Sequence, residues 1–130
     1  MTASYDGQLH CTAHHGPSGQ SLETDAPVDN KGRGESFSPT DLVVTALITC
    51  IATTLAIRAE TLGVELKGMT LAAEKIMSDS APRRIVEIPV RLTLPPGLPE
   101  ESRKILLKDA EKCPVSRSLH PDILIKFSGE

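Results

Sequence analysis

Aromatic residues are scarce in this sequence of 130 residues, which has no Trp, one Tyr and two Phe. A surface that stacks nucleic-acid bases needs aromatic rings, so this scarcity argues against such a surface. The net charge of -3 argues in the same direction, because binding to a phosphate backbone needs a basic face. We therefore predict an aliphatic core and no nucleic-acid partner.

Targeting signals are also lacking, because the first seven residues have neither a basic region nor an apolar stretch. The longest apolar run, 42–57, contains four Thr residues and is shorter than the ~20 residues that a membrane span needs. We therefore expect a cytoplasmic protein with no membrane partner. Three cysteines without a signal peptide do not indicate a disulfide framework. They indicate packing, metal or redox chemistry.

The alternation of apolar residues and turn residues predicts one domain, 1–130, with the element order β-β-α-β-β-α-β. The first two strands form a hairpin, and a second helix is expected to open at Pro99 and to end at Pro114. The fold class is α+β with antiparallel sheet. The strands predicted after the hairpin are 67–77, 84–94 and 123–127.

The strongest local signal is a helix start at 38–41. Ser38 is the predicted N-cap, Pro39 fits the first helical position, and Asp41 can accept a hydrogen bond from the cap N–H. The helix should end just before Gly63. Its middle is apolar nearly all round, so every face has to be covered. One chain has little material for this, and we expect a second subunit to help.

Two cysteines lie on the predicted helices, Cys50 in the middle of the first and Cys113 on the apolar face of the second. One interpretation is a packing thiol, because free Cys is among the most buried residue types. The other is a dithiol redox centre, which forms if the two helices pack. A reactive Cys50 needs a nearby cation, because no helix N-terminus is close to it. The candidate cations are Arg33, Arg58, Arg83, Arg84 and Arg117.

A metal site is disfavoured, because the cysteine spacings contain no C-x-x-C pair. His10 and His14 alternate with Cys11 along a predicted strand, so Cys11 points to the opposite face. A Cys–His hydrolase dyad stays open, although no histidine has a local signature that supports it. We expect solvent-facing histidines and no metal.

Two motifs resemble the OsmC/Ohr family, the osmotically inducible protein C and organic hydroperoxide resistance family. The first is Ser38-Pro39-Thr40-Asp41-Leu42, with Cys50 eleven residues after the Pro, and the second is Cys113-Pro114-Val115-Ser116. The segments 74–77 and 82–85 are also similar. The likeness implies an OsmC-like intertwined homodimer, with antiparallel sheet wrapped around long central helices, and no cofactor or metal requirement.

The resemblance also implies a reaction. In peroxidase members, the first cysteine attacks a hydroperoxide and becomes a sulfenic acid, the second resolves it as a disulfide, and a dithiol reduces the disulfide. By this likeness Cys50 is peroxidatic and Cys113 is resolving. The implied partners are an organic hydroperoxide, with hydrogen peroxide a weaker substrate, and a dithiol reductant, in oxidative-stress defence. Cys11 lies outside both motifs and is expected to be dispensable.

The sequence departs from the family at the activating groups. Peroxidase members carry Glu directly after the Pro, paired with an Arg, whereas this sequence has Thr40 there and Asp41 one residue later. On a straight helix Asp41 and Cys50 lie on opposite faces. Asp41 is therefore either a capping residue or a group that orients an arginine. Arg33, in a glycine-flanked loop expected to be mobile, is the predicted activating residue; its alternative is a solvated loop charge.

By this resemblance, the leading functional hypothesis is a thiol-dependent peroxidase, and the aliphatic residues expected around Cys50 favour apolar peroxides as substrates. Cys50 is expected to react first, since Cys113 is predicted at a helix C-terminus, where the dipole disfavours a thiolate. The alternative is a non-catalytic OsmC-like dimer that binds an apolar small molecule in the cleft between subunits.

Overall fold

The computed structural model describes residues 1–129. The chain divides into two compact units, and the division falls between Val43 and Val44, within one helix. The prediction of a single domain stays a prediction. The first unit contains β1 (Thr2–Gly7), β2 (His10–His15), β3 (Gln20–Asp25) and the start of α1 (Pro39–Leu62). The second contains the rest of α1, then β4 (Thr70–Ala73), β5 (Ile76–Met77), β6 (Ile85–Thr93), α2 (Glu100–Asp109), α3 (Pro114–Ser118) and β7 (Leu124–Gly129).

The first unit is built on an antiparallel sheet in the order β1-β2-β3, and its β2–β3 pair confirms the predicted hairpin. The sequence did not predict β1. Its residues do not alternate, and the turn into β2 is made by Gln8 and Leu9, both with positive φ (52° and 63°). A two-residue turn of this kind is usually signalled by Asn-Gly, and that signal is missing here.

The long helix α1 ends as predicted, in a motif that satisfies its last carbonyls. Gly63 has a φ of 66°. Its N–H donates to the carbonyl of Glu60 (3.2 Å), and the next N–H, of Val64, donates to the carbonyl of Ala59 (3.1 Å). These two bonds define a Schellman motif, in which Gly is favoured because it adopts a left-handed conformation without a Cβ clash.

The sheet of the second unit is centred on β6. β4 and β5 pair with it antiparallel, whereas β7 pairs with it parallel. The strand predicted over 67–77 is in fact two strands, interrupted at Glu74 and Lys75. The final strand ends two residues later than predicted, at Gly129. The α+β class with antiparallel sheets and helices is confirmed, and the parallel pair is the exception.

The prediction that Pro114 ends the second helix is wrong. α2 stops at Asp109, a 3-10 turn covers Ala110–Lys112, and Cys113 is extended (φ -71°, ψ 149°). Pro114 then begins α3 at its first helical position. The ring of a proline disfavours the helical conformation in the residue before it, and its own fixed φ suits a helix start. Cys113 therefore caps a new helix instead of closing the old one.

The core of the second unit is aliphatic, as the composition predicts. Its buried members are Val44, Leu47, Ile51, Leu55 and Ala59 of α1 together with Leu66, Ile85, Ile88, Val90, Leu92, Leu94, Leu106, Ala110 and Cys113. The buried residues of α1 recur at spacings of three and four, so they form one face of the helix. The opposite face, which includes Ala46, Thr49, Thr53, Ala56 and Ile57, stays exposed.

By length and composition alone, α1 is the one helix within residues 1–129 that could cross a membrane. The helix passes this test although the run 42–57 is shorter, because α1 also includes residues 39–41 and 58–62, with the charged Asp41, Arg58 and Glu60. In its most apolar window 28% of residues are buried inside the chain. A core helix that packs one face on its own sheet has the same properties.

Candidate active site

Cys50 lies at the margin of the buried face of α1. The side chains of Leu47 and Ile51, next to it on the helix, are completely buried, whereas Thr49 and Thr53 are exposed. Cys50 itself is a free thiol and half-buried. The sulfur thus borders aliphatic side chains and still lies within reach of solvent, which is the setting that the sequence predicts for a thiol that meets an apolar substrate.

Cys113 has a different environment. Its side chain has no exposed surface, and its Sγ accepts a hydrogen bond from the backbone N–H of Ser116 (3.3 Å). The hydroxyl of Ser116 donates to the carbonyl oxygen of Cys113 (2.7 Å), which fixes the turn from the other side. Cys113 is also a free thiol. Two hydrogen bonds with Ser116 therefore hold both the side chain and the carbonyl group of Cys113.

The helix ends around Cys113 differ from those that the sequence predicts. Cys113 lies between the end of the 3-10 turn 110–112 and the start of α3, where the N–H of Ser116 donates to its sulfur. The predicted position of Cys113 at the C-terminus of the long second helix is therefore wrong, because α2 already ends at Asp109. The two thiols also differ in burial: Cys50 is half-buried and accessible to solvent, whereas Cys113 is fully buried.

An ion pair joins the two segments that carry these cysteines. Nε of Arg58, on α1, lies 3.1 Å from Oδ2 of Asp109, the last residue of α2. Nζ of Lys112 lies 2.6 Å from the other carboxylate oxygen. The hydrogen bond from Lys112 is the main cause that holds the pKa of Asp109 below its ordinary value, and the charges of Lys112 and Arg58 act in the same direction.

Arg33 belongs to the first unit, where its Nη2 donates to the side-chain oxygen of Gln8 (2.6 Å). The loop that carries it is anchored, which differs from the mobile loop expected from its glycines. Gly34 N–H donates to the carbonyl of Ala26 (3.2 Å). A Cβ on Gly32 would lie 1.6 Å from that same carbonyl oxygen. Gly32 therefore permits a close backbone approach, which positions Arg33.

Asp41 makes the predicted capping box. The backbone N–H of Ser38 donates to Oδ2 of Asp41 (2.8 Å), and the N–H of Asp41 donates to Oγ of Ser38 (3.1 Å). Ser38 is almost completely buried. The neighbouring Thr40 contributes its hydroxyl, 3.1 Å from that of Ser38. The capping interpretation is thus confirmed, and the further role of Asp41 in orienting an arginine stays a prediction.

Cys11 lies on β2, half-buried, opposite Tyr5 and Thr24 on the neighbouring strands. Among residues 1–129, no three His, Cys, Asp or Glu side chains are grouped so that they could hold a metal ion.

Sequence reasoning missed two features of the site. One is the cap at Cys113, which the C-P-x-S spacing could have indicated, because a residue before an N1 proline is a natural cap position. The other is the pair of Arg58 and Asp109. These residues are 51 positions apart, and nothing local in the sequence connects them.

Comparison with known proteins identifies the fold and the family. Residues 32–128 match the family model of OsmC-like proteins. A crystallised protein from Psychrobacter arcticus 273-4, named for osmotic stress induction and a detoxification response, is 39% identical, covers 99% of this chain and 93% of its own, and has a TM-score of 0.92.

Two more distant structures share the fold, both named organic hydroperoxide resistance proteins. One, from Legionella pneumophila, is 17% identical with a TM-score of 0.78, covering 99% of this chain and 95% of its own. The other, from Elizabethkingia anophelis, is 17% identical with a TM-score of 0.79, covering 98% and 93%. No curated protein matches this chain. The family match over 32–128 nevertheless confirms the resemblance, and this chain belongs to the OsmC-like protein family.

Proposed function

We propose that this protein is a cysteine-based peroxidase that reduces organic hydroperoxides, with hydrogen peroxide as a weaker substrate. Membership of the OsmC-like family supports the proposal, as do two structural relatives named for organic hydroperoxide resistance. The observation that carries it is the contrast between the two thiols. Cys50 is half-buried beside aliphatic residues, Cys113 is fully buried, and an ion pair joins the segments that carry them.

The proposed reaction has three steps. The thiolate of Cys50 attacks the terminal oxygen of the hydroperoxide, the O–O bond breaks, the alkoxide leaves and is protonated to an alcohol, and Cys50 becomes a sulfenic acid. The thiolate of Cys113 then attacks the Cys50 sulfur, and the disulfide forms as hydroxide leaves and is protonated to water. A dithiol finally reduces the disulfide and is itself oxidised to a disulfide.

Arg33 is the proposed activating cation, and Asp41 is the proposed carboxylate that orients it. The support for both is their place in the segment that matches the family: Arg33 lies in the loop before the helix of Cys50, and Asp41 lies in the first turn of that helix. The proposal locates the reaction in the cytoplasm, where thiol reductants keep cysteines reduced.

A homodimer is part of the proposal, because α1 leaves an apolar face uncovered. Ile57 on this face is 63% exposed. The hydroxyls of Thr49 and Thr53 donate to carbonyls of their own helix (2.7 and 2.9 Å). These hydroxyl donors are therefore already hydrogen-bonded when the face is buried. Each Å² of apolar surface that a second copy covers on this face stabilises the dimer by about 25 cal/mol of free energy.

The sheet of the first unit also has an uncovered apolar face. Tyr5 and Leu22 lie on the same side of the sheet as Cys11 and Ala13, because paired residues of an antiparallel sheet share a face. Tyr5 is 67% exposed and Leu22 is 45% exposed. Each unit thus offers apolar surface to a second copy.

A second candidate is a non-catalytic dimer that binds an apolar small molecule. The observation that favours it is a groove of about 500 Å³ along the second half of α1. Its apolar lining includes Ala52, Ala56, Val64 and Met69, with Glu60, Glu65 and Lys67 among the remaining residues. A binding site of this kind needs no thiol chemistry.

A turnover assay separates the two candidates. Cumene hydroperoxide and a dithiol are supplied to the wild type, to Cys50→Ser and to Cys11→Ser. We expect wild-type turnover that Cys50→Ser abolishes and Cys11→Ser retains in full, because Cys11 lies outside the proposed thiol pair. Wild-type turnover no higher than that of Cys50→Ser would contradict the enzymatic proposal and favour binding.

A further inference from the structure

The ion pair between α1 and α2 is built around one carboxylate with two cations. Oδ2 of Asp109 faces Nε of Arg58 at 3.1 Å, and Oδ1 faces Nζ of Lys112 at 2.6 Å. The side chain of Asp109 is 18% exposed, so both contacts are partly shielded from water. A second ion pair on α2, between Lys104 and Glu100, is longer (3.7 Å) and much more exposed.

The position of Asp109 relates it to both cysteines. Arg58 comes eight residues after Cys50 on α1, about 12 Å along the helix axis. Asp109 comes four residues before Cys113, a segment that spans at most about 14 Å. Lys112 lies in the 3-10 turn of that segment, immediately before Cys113. The Asp109 carboxylate, directly before the turn, thus binds Lys112 at the end of the turn. It also binds Arg58, which attaches this segment to α1.

We propose that Asp109 is a positioning residue for the disulfide step: with Arg58 and Lys112 it holds the segment 110–113 on α1, so that Sγ of Cys113 reaches Sγ of the oxidised Cys50. This inference rests on the proposed peroxidase function. It concerns the second step alone, in which the S–S bond forms and the S–OH bond of the sulfenic acid breaks. Asp109 itself contacts neither the peroxide nor the sulfurs in this step.

The disulfide step is sensitive to position because its geometry is narrow. Two cysteines form a disulfide when their Cα atoms are about 4.4–6.8 Å apart and their Cβ atoms face each other. A displacement of the segment 110–113 by about 1 Å therefore slows the step without affecting the attack on peroxide, which involves Cys50. An unresolved sulfenic acid meets further peroxide and is oxidised to sulfinic acid.

The test separates the two steps by rapid quench. Wild type, Asp109→Asn and Arg58→Gln are mixed with one equivalent of cumene hydroperoxide. Sulfenic acid on Cys50 is trapped and the Cys50–Cys113 disulfide is measured by mass spectrometry. We expect the rate constant for sulfenic acid formation to be unchanged, and the rate constant for disulfide formation to fall about tenfold in both variants. In a parallel run with excess cumene hydroperoxide, sulfinic acid on Cys50 should also rise in both variants, because the second oxidation consumes further peroxide.

The matched control is Glu100→Gln, which removes the exposed pair from the same helix and should leave both rate constants at wild-type values. Asp109→Glu, which keeps the charge, should restore most of the disulfide rate. Disulfide formation at the wild-type rate in Asp109→Asn and Arg58→Gln would overturn the proposal, as would equal slowing in Glu100→Gln. If the wild type forms no sulfenic acid on Cys50, the proposed function itself fails, and the inference fails with it.

Discussion

The two cysteine segments of the second unit differ in regularity, exposure and hydrogen bonding. Cys50 is one residue within an unbroken helix of 24 residues, and its thiol is half-buried. Cys113 lies between a 3-10 turn and a short helix, is fully buried, and accepts an N–H from Ser116. The difference agrees with the roles proposed for the two thiols. In that proposal the attacking thiol needs access, whereas the resolving thiol needs a fixed position and protection from peroxide.

The largest expected effect comes from removing one thiol of the pair, which changes the oxidation product that forms on the other. In Cys113→Ser, one equivalent of cumene hydroperoxide should produce a sulfenic acid on Cys50 that persists and can be trapped, and no intramolecular disulfide. In Cys50→Ser, the buried Cys113 should stay largely reduced at the same dose. Trapping followed by mass spectrometry measures both outcomes. Rapid oxidation of Cys113 in the absence of Cys50 would show that burial does not protect it.

The next largest expected effect is on the affinity of the dimer, from a substitution on the exposed face of α1. The wild type should remain dimeric below about 1 µM, and Ile57→Asp should weaken the dimer by at least about a hundredfold, because a charge buried without a partner costs several kcal/mol. Light scattering and sedimentation measure the change. Lys104→Gln, with the same change in charge at an exposed position of α2, should leave the dimer intact. A monomeric wild type would contradict the proposed intertwined homodimer.

The capping box gives a smaller effect, at the start of the helix that carries Cys50. Ser38→Ala and Asp41→Asn should each lower the free energy of unfolding by about 1 kcal/mol, because the first removes the cap hydroxyl and the second removes the negative charge at the helix N-terminus. Denaturant unfolding measures the loss. Turnover that falls much further in Asp41→Asn than in Ser38→Ala would show that the carboxylate also orients the activating arginine.

The smallest expected effect is on the free energy of unfolding, when the charge of Asp109 is removed. The pKa of Asp109 is lowered in the folded state, so its ionised form stabilises the fold above the ordinary pKa of 3.8. That contribution is lost as the pH falls through the lowered value. Wild type should therefore exceed Asp109→Asn in stability at pH 7, by less than about 1 kcal/mol, and the difference should shrink as the pH falls below 3.8. A difference that is independent of pH would contradict the charge assignment.

The features that the sequence predicts well are local. The capping box of Ser38 and Asp41, the stop at Gly63 and the buried alternation of β6 each depend on residues within a few positions of one another. Family motifs identify the two cysteines in the same way, because residue type and spacing are enough to recognise them. Local hydrogen bonding and side-chain alternation therefore account for most of the elements.

The features that the sequence does not predict have two physical causes. Some depend on backbone conformations without the usual residue types, such as the positive φ of Gln8 and Leu9 that leads from β1 into β2. Others depend on contacts between distant residues, such as Arg58 with Asp109, which neither residue signals alone. The role of Pro114 also depends on backbone conformation. A proline can follow the end of one helix or begin another, and the extended conformation of Cys113 makes Pro114 the start of α3.

The identity of the first disulfide tests the account most directly. Reduced wild type is treated with one equivalent of cumene hydroperoxide and digested under conditions that block thiol exchange, and its cross-linked peptides are identified by mass spectrometry. The account predicts one intramolecular disulfide, between Cys50 and Cys113, with Cys11 still reduced, and the same disulfide in Cys11→Ser. A disulfide that includes Cys11, or a sulfenic acid that appears first on Cys113, would contradict it.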